Sequence, residues 1–122
     1  MIGYVTIGTN DLARATKFYD ALLALKGATR GWQNEKMIQW TTGPAAPSLI
    51  VIKPADGKAA SIGNGVMVAL AATDKEQVGK LHAKALELGG KDEGPVGPRG
   101  DGFYAGYFRD LDGNKLCAFF IG

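Results

Sequence analysis

Few residues in this chain are equipped for chemistry, and most of them stand alone. His82 is the single histidine and Cys117 the single cysteine in 122 residues. One imidazole cannot supply the two or three ligands of a histidine-based metal site, and one thiol cannot close an intrachain disulfide. Cys117 becomes a nucleophile only if its pKa is lowered, and Lys115, two residues away on the same strand face, is the nearest cation in sequence. Asp110 and Asp112 form a carboxylate pair that could do acid–base work, but at i and i+2 around Gly113 turn formation already accounts for both. The stretch G-P-V-G-P-R-G-D-G, Gly94 to Gly102, is glycine-rich without the G-K-S/T ending of a phosphate loop, and no helical pattern follows it. It reads as an ordered lid whose cation, Arg99, either meets an anionic ligand or lies in solvent.

The aromatic residues carry more signal. Trp32, Trp40, Phe103, Tyr104, Tyr107, Phe108, Phe119 and Phe120 all fall in stretches that read as strands or strand edges. Period-two alternation sends one subset beneath a helix and the other to the opposite face. A wall of aromatic rings with a few phenols and an amide suits a small, largely apolar molecule. Tyr4, Gln39, Tyr104 and Tyr107 are the candidate polar handles. Trp40, Met67, Arg99 and Cys117 complete the candidate ligand-binding set, with core or dimer packing as the competing role for each.

These residues depend on elements that repeat. Tyr4 to Gly8 alternates as a strand. Asn10 or Asp11 caps a helix whose stripe is Leu12, Ala15, Phe18, Tyr19, Leu22 and Leu23, and Gly27 ends it. Two short strands fall within Gly31 to Thr42, and another runs from Leu49 to Ile52. Residues 55–65 read as a linker. Val66 to Ala71 is then a strand. Thr73-Asp74-Lys75-Glu76 is expected to form a capping box for a helix with Val78, Leu81, Ala85 and Leu88 on its stripe, stopped by Gly89-Gly90. His82 lies at the edge of that stripe, packed or bonded locally. Lys91 to Gly102 is Gly/Pro loop with at most one short strand. Phe103 to Phe108 and Leu116 to Ile121 form a hairpin around Asp112-Gly113-Asn114.

The order is therefore β-α-β-β-β twice, with modules at about residues 1–54 and 66–122. The spacing from Asp11 to Asp74 equals that from Gly27 to Gly90, as expected of two copies of one unit. Composition sets the broad class, since 46% hydrophobic and 21% charged residues describe one ordinary globular domain, and the element order makes it α+β. A net charge of +2 without a basic run argues against nucleic acid. No apolar stretch reaches the length of a membrane helix, and the N-terminus shows no secretory leader, so a cytoplasmic location is expected.

Two motifs add a resemblance. F-R-D-L-D-G-N-K-L, Phe108 to Leu116, resembles the closing motif of the vicinal oxygen chelate superfamily, which includes glyoxalases, bleomycin-resistance proteins and dioxygenases. T-N-D-L-A-R-A-x-x-F-Y, Thr9 to Tyr19, resembles its N-terminal motif. The resemblance implies two βαβββ modules whose curved mixed sheets form a cup, and commonly a homodimer. In family metalloenzymes the cup holds a divalent metal through strand side chains. Those positions fall here on Tyr4, Met67, Cys117 and, within a residue or so, Ile50. Cys117 stands where the family has Glu, and Leu111 where it has Pro. Tyr, Met, Ile and Cys do not make a site for imidazole- and carboxylate-loving metals. The expectation is thus a small-molecule-binding protein with no metal cofactor. The alternative is a glyoxalase-like lyase, isomerase or dioxygenase acting on a small oxygenated substrate through an atypical metal arrangement or through Tyr and Cys117.

Overall fold

The computed structural model describes residues 1–122. It is an α+β chain of eight strands and two helices that divides into two compact units, Met1–Ile62 and Gly63–Gly122. No helix is long and apolar enough to cross a membrane.

In the first unit, β1 (Tyr4–Gly8) leads into α1 (Leu12–Ala24), followed by β2 (Thr29–Gln33), β3 (Met37–Thr41) and β4 (Ser48–Ile52). The sheet order is β1-β4-β3-β2. β1 and β4 are parallel because α1 carries the chain back between them, whereas β2, β3 and β4 are joined antiparallel. Asp11 is the N-cap of α1, and its carboxylate accepts from the Arg14 N–H at 3.0 Å. Ala15, Phe18, Tyr19, Leu22 and Leu23 are buried, and Ile7, Ile38, Trp40, Leu49 and Val51 are buried on the sheet. This layer between helix and sheet is the core of the unit.

The second unit repeats the plan. β5 (Val68–Ala71), α2 (Lys75–Glu87), β6 (Lys91–Pro98), β7 (Phe103–Arg109) and β8 (Lys115–Ile121) assemble with sheet order β5-β8-β7-β6. β5 and β8 are parallel, and the other two pairings are antiparallel. Val78, Leu81, His82 and Ala85 are the buried residues of α2, over a sheet whose Phe108, Leu116 and Ala118 are fully buried.

Two local expectations change. The N-cap of α2 is Asp74, not Thr73. Asp74 Oδ1 accepts from the Gln77 N–H at 2.8 Å, and Gln77 Oε1 accepts from the Thr73 N–H at 2.9 Å. The reciprocal cap is therefore built on Gln77 rather than Glu76, because Asp74 is the residue three before it. Lys91 to Pro98 is an eight-residue strand rather than a loop or lid. It occupies the sheet edge, where proline removes no ladder bond the fold needs, and the register breaks between Asp92 and Gly94 and between Gly94 and Gly97 absorb the misfit.

Candidate functional site

Each sheet has a helix face and a far face, and strand alternation assigns every candidate residue to one of them. In the first unit Gln39 lies on the far face. Its amide Nε2 donates to Ser48 Oγ at 2.9 Å, and its Oε1 accepts from the Trp32 N–H at 3.0 Å. Gln39 is thus a cross-strand brace, with both ends of its carboxamide engaged. Tyr4 sits opposite Ser48 and is 62% exposed. Ile50 pairs with Thr6 on one side and Gln39 on the other.

Trp40 must point the other way. It is 2% exposed, its ring packs 5.7 Å from that of Tyr19, and its indole N–H donates to Asp20 Oδ1 at 2.9 Å. Asp20 also pairs with Arg30 through both carboxylate oxygens. The guanidinium holds the Asp20 carboxyl below its ordinary range, with help from the indole and against the cost of burial. Trp40 is a core residue, so its candidacy as a ligand-binding residue is corrected.

Tyr107 and Tyr104 separate in the same way. Tyr107 pairs with Cys117, and the ammonium of Lys115 lies 5.4 Å from its ring centroid. The Arg99 guanidinium lies at 5.4 Å as well, so the phenol ring has two cations over it. Phe103 and Phe119 share this far face and stack with an interplanar angle of 17° and centroids 5.6 Å apart. Tyr104 is three residues from Tyr107 and belongs to the helix face, where Lys75 at the start of α2 lies over its ring. Tyr104 is therefore removed from the set that Tyr107 and Cys117 define.

Arg99 does not extend into a cavity as a free cation. It folds back on its own strand end and donates to the carbonyls of Pro95, Gly97 and Pro98 while covering Tyr107. Cys117 is fully buried beneath this arrangement. Burial pushes its thiol pKa up, and the Arg99 and Lys115 charges oppose that without reversing it. Met67 precedes β5, is 41% exposed, and shares the phase of Ala69, the strand partner of Cys117.

The four positions at which the resemblance expects metal ligands show a consistent geometry. Tyr4 lies two residues before Thr6, the partner of Ile50. Met67 lies two residues before Ala69, the partner of Cys117. In each unit the pair is a diagonal on adjacent parallel strands, and both members face away from the helix. Their donor atoms are a phenol, a thioether and a thiol, with hydrocarbon at the fourth. No three His, Cys, Asp or Glu side chains come together as a metal-holding group in the chain. The residues present do not fit the imidazole–carboxylate chemistry of a divalent metal site.

His82, Asp92, Asp110 and Arg109 have structural roles. His82 Nε2 is 3.1 Å from both Asp92 Oδ1 and Tyr107 O. Both partners are acceptors, so this nitrogen carries the proton, and the ring ties α2 to β6 and β7. The Gly94 N–H holds the Asp92 carboxyl below its ordinary range, with His82 assisting. Gly106 is needed under the imidazole, since a Cβ there would meet His82 Cδ2 at 3.0 Å and Val96 Cγ2 at 2.8 Å. Asp110 is buried in the β7–β8 turn and accepts from the N–H groups of Asp112 and Asn114 at 2.9 Å and from Asn114 Nδ2 at 3.0 Å. Arg109 pairs with Glu93 of β6 at 3.1 Å rather than with Asp110. Sequence reasoning missed the Asp20–Arg30–Trp40 and Trp32–Gln39–Ser48 networks, whose partners lie on different elements and share no local motif.

Comparison with known proteins agrees with this architecture. The family model described as Glyoxalase/Bleomycin resistance protein/Dioxygenase superfamily matches residues 1–118. A glyoxalase/bleomycin resistance protein from Albidiferax ferrireducens is 38% identical, with 98% of each chain covered and a TM-score of 0.90. Two more distant structures share the fold. A glyoxalase/bleomycin resistance protein/dioxygenase family enzyme from Burkholderia phytofirmans is 14% identical, with 98% of each chain covered and a TM-score of 0.78. A lactoylglutathione lyase from Agrobacterium tumefaciens is 19% identical, with 98% of this chain and 92% of that one covered and a TM-score of 0.72. A search of curated proteins returns no match.

Proposed function

The chain belongs to the glyoxalase/bleomycin resistance protein/dioxygenase superfamily, and from that premise we propose that it binds a small, largely apolar molecule against the far face of a sheet, without a family-type metal. The observation that carries this reading is the chemistry at Tyr4, Ile50, Met67 and Cys117. All four lie on far faces, and none offers an imidazole or carboxylate. The stacked Phe103 and Phe119 add a flat apolar surface on the face that also bears Tyr107. Covering about 100 Å² of apolar surface contributes about 2.5 kcal/mol before the cost of association, so further burial and hydrogen bonds must add to it. The phenol of Tyr107, on the same face, is the first such handle.

A catalytic reading through a Cys117 thiolate has less support, because burial raises the thiol pKa and keeps the sulfur from solvent. Homodimer formation in the cytoplasm is part of the proposal. It is supported by the exposed apolar side chains of Met1, Ile2, Tyr4, Trp32 and Val66, and native mass spectrometry measures it.

The deciding experiment is a thermal-shift screen of planar, weakly polar compounds against chelator-treated protein, with metal content determined in parallel. Saturable stabilisation of metal-free protein is expected, by about 2.7 kcal/mol at a hundredfold excess over Kd. Stabilisation only after addition of Zn²⁺, Ni²⁺ or Mn²⁺, or stoichiometric bound metal with dependent turnover, would overturn the reading.

A further inference from the structure

A second region of the first unit has the features of a binding site and lies outside the strand ends rather than on either sheet face. A cleft of about 330 Å³ is lined by Thr9, Asn10, Lys36, Lys53 and Lys58, with Pro54, Ala55, Gly57 and Ala59 completing its wall. It sits where the parallel strands β1 and β4 end at Gly8 and Ile52. Lys36 and Lys53 face one another across the β3–β4 ladder, with the Lys53 N–H donating to Lys36 O at 2.9 Å. The loop that brings in Lys58 is pinned. Asn10 Oδ1 accepts from the Ala60 N–H at 2.7 Å, its Nδ2 donates to Ala60 O at 3.3 Å, and the Gly57 N–H donates to Pro54 O at 3.0 Å.

The charge in this cleft is unbalanced. No carboxylate lines it, and none of the three lysines is ion-paired. Other carboxylates lie near in sequence, but none of them lines the cleft: Glu35 precedes Lys36, Asp11 caps α1, and Asp56 Oδ1 accepts from the Lys58 N–H at 2.9 Å. Three lysine side chains lining one cleft raise its local positive potential, which favours an anion there.

We propose that this cleft binds a phosphoryl dianion, either inorganic phosphate or the phosphate group of a small metabolite. The three lysine side chains supply the charge, while the Thr9 hydroxyl, bonded to the Asp11 backbone, and the Asn10 carboxamide, bonded to Ala60, hold the cleft wall in place. This site goes beyond the apolar ligand proposed for the far faces and does not rest on it.

The test is a titration of the ¹⁵N-labelled full chain, followed by amide chemical shifts at constant ionic strength. Inorganic phosphate, pyrophosphate and a simple phosphate monoester are the probes, and comparing them separates free phosphate from an ester. Saturable shifts are expected at residues 9–10, 36 and 53–60, with β7 and β8 unmoved. The triple variant Lys36→Gln, Lys53→Gln, Lys58→Gln should bind at least about tenfold more weakly. A control triple variant, Lys17→Gln, Lys80→Gln, Lys91→Gln, loses the same charge elsewhere and should bind as the unaltered chain does. Linear, unsaturated shifts spread over all lysines, or equal weakening in the two triple variants, would overturn the proposal.

Discussion

Replacing Trp40 with phenylalanine tests whether this residue is a core brace or part of a binding wall. The indole is 2% exposed and joins α1 to β3 by its contact with Tyr19 and its N–H bond to Asp20. A hydrogen bond to a charged acceptor is worth about 1.5–3 kcal/mol. That must be discounted here, because Asp20 keeps its Arg30 partner and its side chain is 39% exposed, leaving about 1 kcal/mol. Truncating the buried ring system adds a cavity. Full removal to alanine would cost 3–5 kcal/mol, and a phenyl ring retains the larger part of the packing, so about 1–2 kcal/mol is lost. Trp40→Phe should therefore destabilise the chain by about 2–3 kcal/mol and lower the melting temperature by ~10 °C. Urea unfolding followed by far-UV circular dichroism measures this without relying on the altered fluorophore. The same variant should bind any compound found in the thermal-shift screen within about twofold of the unaltered chain. An unchanged urea midpoint with abolished binding would refute the assignment of Trp40 to the core.

The other predictions concern single groups. Asp20 has a lowered folded-state pKa, so its contribution is present above the ordinary carboxylate range and lost as pH falls through the folded value. Asp20→Asn should lower stability at neutral pH, and its gap from the unaltered chain should close in acid; a pH-independent gap in urea midpoints would contradict this. Asp110→Ala leaves three N–H donors of a buried turn without their acceptor and should cost about 2–3 kcal/mol in urea unfolding. A near-neutral effect would show that the backbone bonds of the turn hold it without the carboxylate. Cys117 should resist thiol reagents such as iodoacetamide and DTNB at neutral pH until the chain unfolds, since it is buried and its thiol pKa is raised. Rapid stoichiometric labelling of the native chain would revive the nucleophile reading.

The element order was legible in the sequence because punctuation and period agree at each boundary. Asp11 and Asp74 cap, Gly27 and Gly89 stop with positive φ, and the stripes between them have helical spacing. β6 was illegible for the opposite reason. Gly94, Pro95, Gly97 and Pro98 are breakers in any local reading, and only the edge position and its register breaks let them stand in a strand. Lys36, Lys53 and Lys58 were equally hidden, since a cleft assembled from a turn and a distant loop leaves no periodic trace.

The site residues divide by whether the sequence fixes strand phase. On β1 the phase follows from its end: the strand stops at Gly8, three residues before the Asp11 cap, and Ile7 is the buried residue facing the core, so Tyr4 must face away. Counting back from Asp74 sets Met67 in the same way. Phase is absent on β7, where Phe103-Tyr104 and Tyr107-Phe108 are aromatic doublets that put equal apolar weight on both faces. Gly106 breaks the tie in the folded chain. Its missing Cβ is what lets His82 of α2 approach, so residues of its phase, Tyr104 and Phe108, lie under the helix and Tyr107 lies away from it. The smallest residue of the strand thus decides which tyrosine is available to a ligand, and a Cβ at Gly106 would press first on the helix face, leaving the Tyr107–Cys117 side to move only if α2 itself is displaced.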